Sequence, residues 1–137
     1  MDLKFKRIAS FEVRAGDINY GGHMGNEKAL LLFQDARLKF LKSLGYTETD
    51  IGEGKGTIMV EAHVYYKKEV FMYEKLYANI EVRNIGKNKF ELFYAILREN
   101  DDTVVIQGST LQFGFDYDTH RITHLPEEFL NKVKKNT

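Results

Sequence analysis

Apolar residues take alternate positions at the start of the chain. Leu3, Phe5, Ala9, Phe11 and Val13 are interleaved with Lys4, Lys6, Ser10, Glu12 and Arg14. A period of two belongs to a strand with one buried face, so a strand is predicted over 3–13. From Glu27 to Leu44 the period lengthens. Ala29, Leu30, Leu32, Phe33, Ala36, Phe40, Leu41 and Leu44 share one side of a helical wheel,. Leu31 and Leu38 extend that side, leaving a narrow polar strip at Lys28, Asp35, Lys39 and Lys42. A helix this apolar is expected to be wrapped by other structure. Asn26 suits its N-cap, Glu27 its first turn and Gly45 its C-cap.

Alternation then returns and persists. Strands are predicted from Ile58 to Tyr66, Leu76 to Val82, Phe90 to Ile96 and Thr103 to Phe115, with a short one at Arg121-Ile122-Thr123,. Turn residues at Asn84-Ile85-Gly86-Lys87-Asn88 and Asn100-Asp101-Asp102 join them as hairpins,. Pro126 opens a final helix carrying Phe129, Leu130 and Val133,. Short connections make the sheet antiparallel, because parallel pairing needs long crossovers. One long helix covered by one curved antiparallel sheet is an α+β architecture. With 137 residues the chain suits one domain over 1–137,.

Composition narrows the function classes. Twenty Lys+Arg balance 20 Asp+Glu. Nucleic acid is therefore not the expected partner, since phosphate neutralisation needs a basic excess or stripe. There is no Cys, which removes disulfides, thiol nucleophiles and Cys-ligated zinc,. No apolar run approaches the ~18 residues of a membrane helix, and Met1–Lys6 carries no apolar signal core. A soluble, cytoplasmic protein is expected, with no membrane partner.

Candidate chemistry gathers just before the long helix. Gly16, Gly21, Gly22 and Gly25 make the backbone there permissive and leave room for close approach of a ligand,. Amide N–H groups at a helix start lack intrahelical partners and carry the positive end of the dipole. Such donors can stabilise a developing oxyanion, each worth ~3 kcal/mol. Asp17 adds a carboxylate, His23 an imidazole, and Asn19 and Asn26 neutral hydrogen bonding. These are parts for attack on a polarised carbonyl, or else an ordinary glycine loop with Asp17 in an Asx turn. Other signatures are weaker. Gly52-Glu53-Gly54-Lys55-Gly56 lacks the ending of a phosphate loop, Ser43 and Ser109 lack a nucleophile elbow, and there is no HExxH,. His120 and His124 are four apart but fall in a strand or turn region, and His63 beside Glu61 suits a structural or cleft-wall role. Lys67, Lys68, Arg83, Lys87 and Lys89 are solvated charges unless the substrate carries phosphate.

The run Asp17-x-Asn19-x-x-Gly22-His23-Met24-x-Asn26 resembles the D-x-D-x-x-G-H-V-x-N signature of hotdog-fold acyl-CoA thioesterases, in their 4-hydroxybenzoyl-CoA thioesterase-like branch among others. Phe33-Gln34-Asp35-Ala36-Arg37-Leu38-Lys39-Phe40-Leu41 resembles their F-E-x-A-R-x-x-F-L run, closed by Leu44-Gly45. Val60-Glu61 to Tyr66 and Tyr73-Glu74-Lys75-Leu76 resemble the strand pair carrying their Y…P-x-x-x-D-x-L pattern. The likeness spans roughly residues 5 to 120.

This resemblance implies a hotdog fold and hydrolysis of an acyl-CoA thioester to free acid and CoA. It implies a homodimer or homotetramer with sites at the subunit interface. Asp17 falls on the catalytic carboxylate, as nucleophile or base. The amides of Met24 and Gly25 fall where the carbonyl is polarised, His23 orients the substrate, and Asn26 braces the loop. Asn19, Tyr20, Gly22 and Phe33 are expected at the substrate, with Leu30, Phe33 and Tyr20 beside an acyl tunnel and Lys87 and Lys89 meeting CoA phosphates. The second acid of the signature is Asn19 here, the helix Glu is Gln34, and Lys68-Glu69-Val70 stands where a strand proline is expected. Asp17 therefore carries the mechanistic weight. Thioester hydrolysis needs no metal, and neither metal nor cofactor is expected. Two other readings are a hotdog hydratase and a non-catalytic acyl-CoA binding module. The hydratase motif D-x-N-P-x-H partly resembles Asp17-x-Asn19-x-x-x-His23, without the proline and with the histidine one residue late.

Overall fold

A computed structural model describes residues 3–18, 22, 24–25 and 27–135. Its strands are β1 (Leu3–Glu12), β2 (Gly56–Tyr66), β3 (Lys75–Arg83), β4 (Lys89–Arg98), β5 (Val104–Asp116) and β6 (Arg121–Thr123). The helices are α1 (Lys28–Ser43) and α2 (Glu127–Lys135). A 3-10 turn at Ala15–Asp17, not foreseen from periodicity, precedes the glycine-rich stretch. The strands pair antiparallel in the order β1-β3-β4-β5-β2, and β6 adds to β5. Successive strands β1 and β2 thus occupy opposite edges, because α1 and its following loop carry the chain between them.

Strand alternation places Leu76, Ala78, Ile80 and Val82 of β3 on the same buried face as Phe90, Leu92, Tyr94 and Ile96 of β4,. Onto this face α1 packs Ala29, Phe33, Ala36, Phe40 and Leu41, all essentially without exposure. Each large side chain removed from water there contributes roughly 1.5–3 kcal/mol before entropy is charged against it. Phe33 stacks on Tyr94 with ring centroids 4.3 Å apart and planes 10° from parallel. Gly108 of β5 makes the space: an added Cβ would lie 2.5 Å from Phe33 Cε2 and would also strike the His63 carbonyl oxygen. At the far end of α1, Gly45 takes φ +89°, with Gly45 N–H donating to Lys42 O and Tyr46 N–H to Leu41 O, both at 2.9 Å. These paired bonds satisfy the last carbonyls of the helix, as the expected glycine cap requires. The N-cap is Glu27, whose side chain makes no cap bond; Asn26, the expected cap, lies outside the described residues. Phe129 of α2 closes the core against Phe90 and Tyr46.

One polar group is built into this interface. Arg37, 7% exposed, donates from Nε to Glu48 Oε1 (2.7 Å) and from Nη1 to Tyr94 Oη (3.2 Å). Tyr94 Oη in turn lies 2.7 Å from Thr110 Oγ1. Burial pushes the Tyr94 phenol above its ordinary range, against the pull of Arg37,. The network fixes α1 to the sheet and to the loop that follows it.

The expected wrapping of α1 is incomplete within one chain. Leu30, Leu31 and Leu38 are 43%, 53% and 41% exposed. The two sheet edges also differ. β1 is broken by a bulge between Phe5 and Ala9, where Arg7 adopts φ +51° and its N–H donates to Asn79 Oδ1. A bulge of this kind blunts an edge against further pairing. β2 has a single register shift near Val60 and exposes Met59, Val60, Tyr65 and Tyr66.

Replacing Gly108 with alanine is expected to cost about 3 kcal/mol, since one neighbour is paired strand backbone and the other a ring packed in the core,. Urea unfolding of wild type and Gly108→Ala measures it, and an unchanged midpoint would show that Phe33 is free to retreat.

Candidate active site

The glycine-rich stretch is anchored at several points. Val13 N–H donates to Glu74 O (2.9 Å), and Tyr73 N–H to Val13 O (2.7 Å), which ties the end of β1 to the segment before β3. The 3-10 turn then brings the Asp17 side chain back, so that Oδ2 accepts from Arg14 N–H at 2.9 Å. Oδ1 lies 4.0 Å from Lys28 Nζ in the first turn of α1, with both side chains about a quarter exposed (27% and 28%). Ile18 and Met24 form an isolated antiparallel bridge that closes the loop between them. Gly25 N–H donates to Asp17 O (2.8 Å), and Met24 N–H to Val70 O (2.6 Å). Asp17, Met24, Gly25 and the start of α1 are therefore one constellation, as the motif leads one to expect. Gly22, at φ +79°, is exposed on the same loop. Asn19, Tyr20, His23 and Asn26 lie outside the described residues.

Three expectations change. The amides of Met24 and Gly25, read as oxyanion donors, are spent on backbone carbonyls, because both residues are buried and a buried N–H must be paired,. Phe33 is a core residue with no exposed surface, so it lines no open acyl tunnel. Lys87 and Lys89 sit at the opposite end of the sheet from Asp17. The β1 end leading to Asp17 pairs with Lys75, and the 9 residues of β3 separate that point from the β3–β4 turn. At ~3.3 Å per residue this is roughly 26 Å.

Next to the constellation runs a groove of about 200 Å³ lined by Met24, Tyr66, Lys67, Lys68, Glu69, Val70 and Ile106. Ligand pockets usually hold roughly 300–1,000 Å³, so this groove is smaller than a typical one. A larger hollow of about 530 Å³, lined by Tyr65, Arg83, Phe93 and Gln107 among others, opens on the sheet face away from α1 and includes none of the motif residues. Two residues that the motif did not single out lie close by, Tyr66 in the groove and Glu27 over Gly25. Tyr66 ends β2 there, its phenol pushed upward by burial and then by the negative charge of Glu27. Glu27 folds back over Gly25, with both carboxylate oxygens 2.8 Å from the point a Cβ on Gly25 would occupy. The chain offered only a hint of this: an acid two residues beyond a glycine at a helix start. His63 is exposed beside Glu61 (3.4 Å), and His120 lies in the β5–β6 turn, edge-on to Phe115. Among the described residues no group of His, Asp and Glu is placed to hold a metal, and no helix is long and apolar enough to cross a membrane.

Residues 13–133 match the thioesterase-like superfamily over the whole of this constellation and most of the sheet. The chain belongs to that superfamily. It is 23% identical over 136 residues to an L-carnitine dehydrogenase/betainyl-CoA thioesterase of Rhizobium sp., covering 99% of this chain and 27% of that protein. The chain thus spans about a quarter of the curated relatives it matches. Among solved structures, a 1,4-dihydroxy-2-naphthoyl-CoA thioesterase from Synechocystis superposes with a TM-score of 0.81 at 13% identity, over 98% of this chain and 96% of that one. A Staphylococcus aureus protein solved in complex with CoA gives 0.82 at 16% identity, over 99% and 84%. These likenesses establish the hotdog fold: an antiparallel sheet against a long central helix.

Gly25 and Gly108 differ in what a methyl group would meet. At Gly25 the obstacle is the movable end of Glu27. Gly25→Ala is expected to cost less than about 1 kcal/mol by urea unfolding, because the carboxylate swings away. A loss as large as that of Gly108→Ala would mean that Glu27 is held rigidly.

Proposed function

We propose that this chain hydrolyses an acyl-CoA thioester to a free acid and CoA, with Asp17 as the reacting carboxylate. The observation that carries this reading is the meeting of Asp17 with the start of α1 beside the Met24–Tyr66 groove, in a chain of the thioesterase-like superfamily. Arg14 N–H holds one Asp17 oxygen and so orients the other. As a base, Asp17 takes a proton from water as the water oxygen bonds to the acyl carbon and an electron pair moves onto the carbonyl oxygen. When that pair returns, the C–S bond breaks and the sulfur leaves with the proton, giving acid and CoA thiol. As a nucleophile, Asp17 bonds to the acyl carbon itself, the C–S bond breaks and CoA leaves as the thiolate. Water then cleaves the mixed anhydride, giving the acid and the free Asp17 carboxylate, and its proton passes to the thiolate. In both courses the positive end of the α1 dipole favours the developing negative charge. With the Met24 and Gly25 amides already bonded, this field replaces direct donation by those two groups.

A second copy of the chain completes the site. The groove is too small for an acyl-CoA, α1 leaves three leucines uncovered, and β2 offers an open pairing edge. Lys87 and Lys89, remote from Asp17 in their own chain, reach a CoA phosphate only across such an interface. Relatives act on betainyl-CoA and 1,4-dihydroxy-2-naphthoyl-CoA by name, and acyl-CoA is the shared class.

Thiol release from a panel of acyl-CoA esters tests the activity. Asp17→Asn, which keeps an acceptor for Arg14 N–H, is expected to lower turnover by about 10²–10⁴; equal turnover would remove Asp17 from the mechanism. Light scattering at micromolar protein tests the assembly. Val60→Lys on β2 is expected to yield a monomer with little thioesterase activity, whereas a fully active monomer would place the whole site within one chain.

A further inference from the structure

Glu27 is not used by the mechanism above, yet its carboxylate lies beside Gly25, which bonds to the Asp17 carbonyl. Gly25 is buried, with its N–H bonded to the Asp17 carbonyl at 2.8 Å. The Glu27 oxygens cover the same glycine from the direction a side chain would take, 2.8 Å from that point. Gly25 thus lies between the Asp17 peptide and the Glu27 carboxylate. Among the described residues no salt bridge engages Glu27, and its neighbour Lys28 faces Asp17 instead. Tyr66 lines the neighbouring groove, and its phenol feels the Glu27 charge.

We infer that Glu27 is a specificity-determining residue: it disfavours acyl groups with a negative charge near the thioester and favours neutral or positively charged ones. The inference rests on Asp17 being the reacting carboxylate. In this reading an acyl carbon at Asp17 lies near Gly25, whose N–H meets the Asp17 carbonyl, and so near the Glu27 carboxylate that covers Gly25. At separations of ~4–6 Å in a partly screened site, a like charge there is opposed and an opposite charge favoured, by about tenfold or more in each direction. Lys67 and Lys68 line the neighbouring groove with the opposite sign. They suit the phosphate-bearing carrier, so the two ends of one thioester meet opposite charges.

Three acyl-CoA esters of equal chain length test this, ending in a methyl, a carboxylate or a trimethylammonium group. Wild type is expected to show the highest kcat/KM for the cationic ester and the lowest for the anionic one. Glu27→Gln keeps the shape and removes the charge, and is expected to shrink the cationic-to-anionic ratio by tenfold or more. Gly25→Ala, which displaces the carboxylate without removing it, is expected to move the ratio the same way. A wild-type preference for the carboxylate ester, or the same ratio in wild type and Glu27→Gln, overturns the inference. Dissociation constants for the three uncleavable thioether analogues are measured alongside. If wild type cleaves none of the esters, the proposed activity fails, while the order of those constants in wild type and Glu27→Gln still decides the role of Glu27.

Discussion

Phe33 lies flat on Tyr94 because Gly108, on the next strand, has no side chain. That contact sets how closely α1 approaches the sheet, and the rest of the molecule is arranged around it. The phenol of Tyr94 continues the same layer into a polar chain, reaching Arg37 on the helix and Thr110 on β5. Apolar stacking fixes the separation of the two layers. The hydrogen bonds fix their relative position, since leaving any member of a buried network unpaired is costly. A helix held in both ways keeps its first turn in a constant place, and the first turn is where Asp17 and Gly25 meet Lys28 and Glu27.

The two glycines show how a fold can be rigid in one place and adjustable in another. Around Gly108 the neighbours are strand backbone and a packed ring, which have nowhere to go. Around Gly25 the neighbour is the end of an exposed glutamate. The first glycine serves the core. The second leaves the space beside the Asp17 peptide to the movable end of a charged side chain.

A single chain also leaves its surfaces unequal. The β1 edge is turned aside by the Arg7 bulge, and Arg7 itself rests over the Tyr77 ring 3.9 Å from its centroid. The β2 edge is long and carries exposed apolar and aromatic groups, with the uncovered leucines of α1 on the same molecule. An open strand edge with apolar surface is a pairing site unless something blunts it. The small groove at the end of β2 agrees with the proposal of a site built by two chains.

The sequence by itself determined the elements and their order. Period-two alternation marked the strands, the 3.6-residue period marked α1, and Gly45 marked its end, because each depends on neighbours a few residues away. The motif from Asp17 to Gly25 likewise named residues that meet at the start of α1. Tertiary structure decided everything that depends on distant residues. It paired the Met24 amide with Val70, sank Phe33 beneath β4 and β5, and carried Lys87 and Lys89 to the far end of the sheet. It also laid Glu27 over Gly25 beside Tyr66. Periodicity tells which face of an element is buried. Which partner buries it, and which polar groups are consumed in doing so, is settled only when strands far apart in the chain come together.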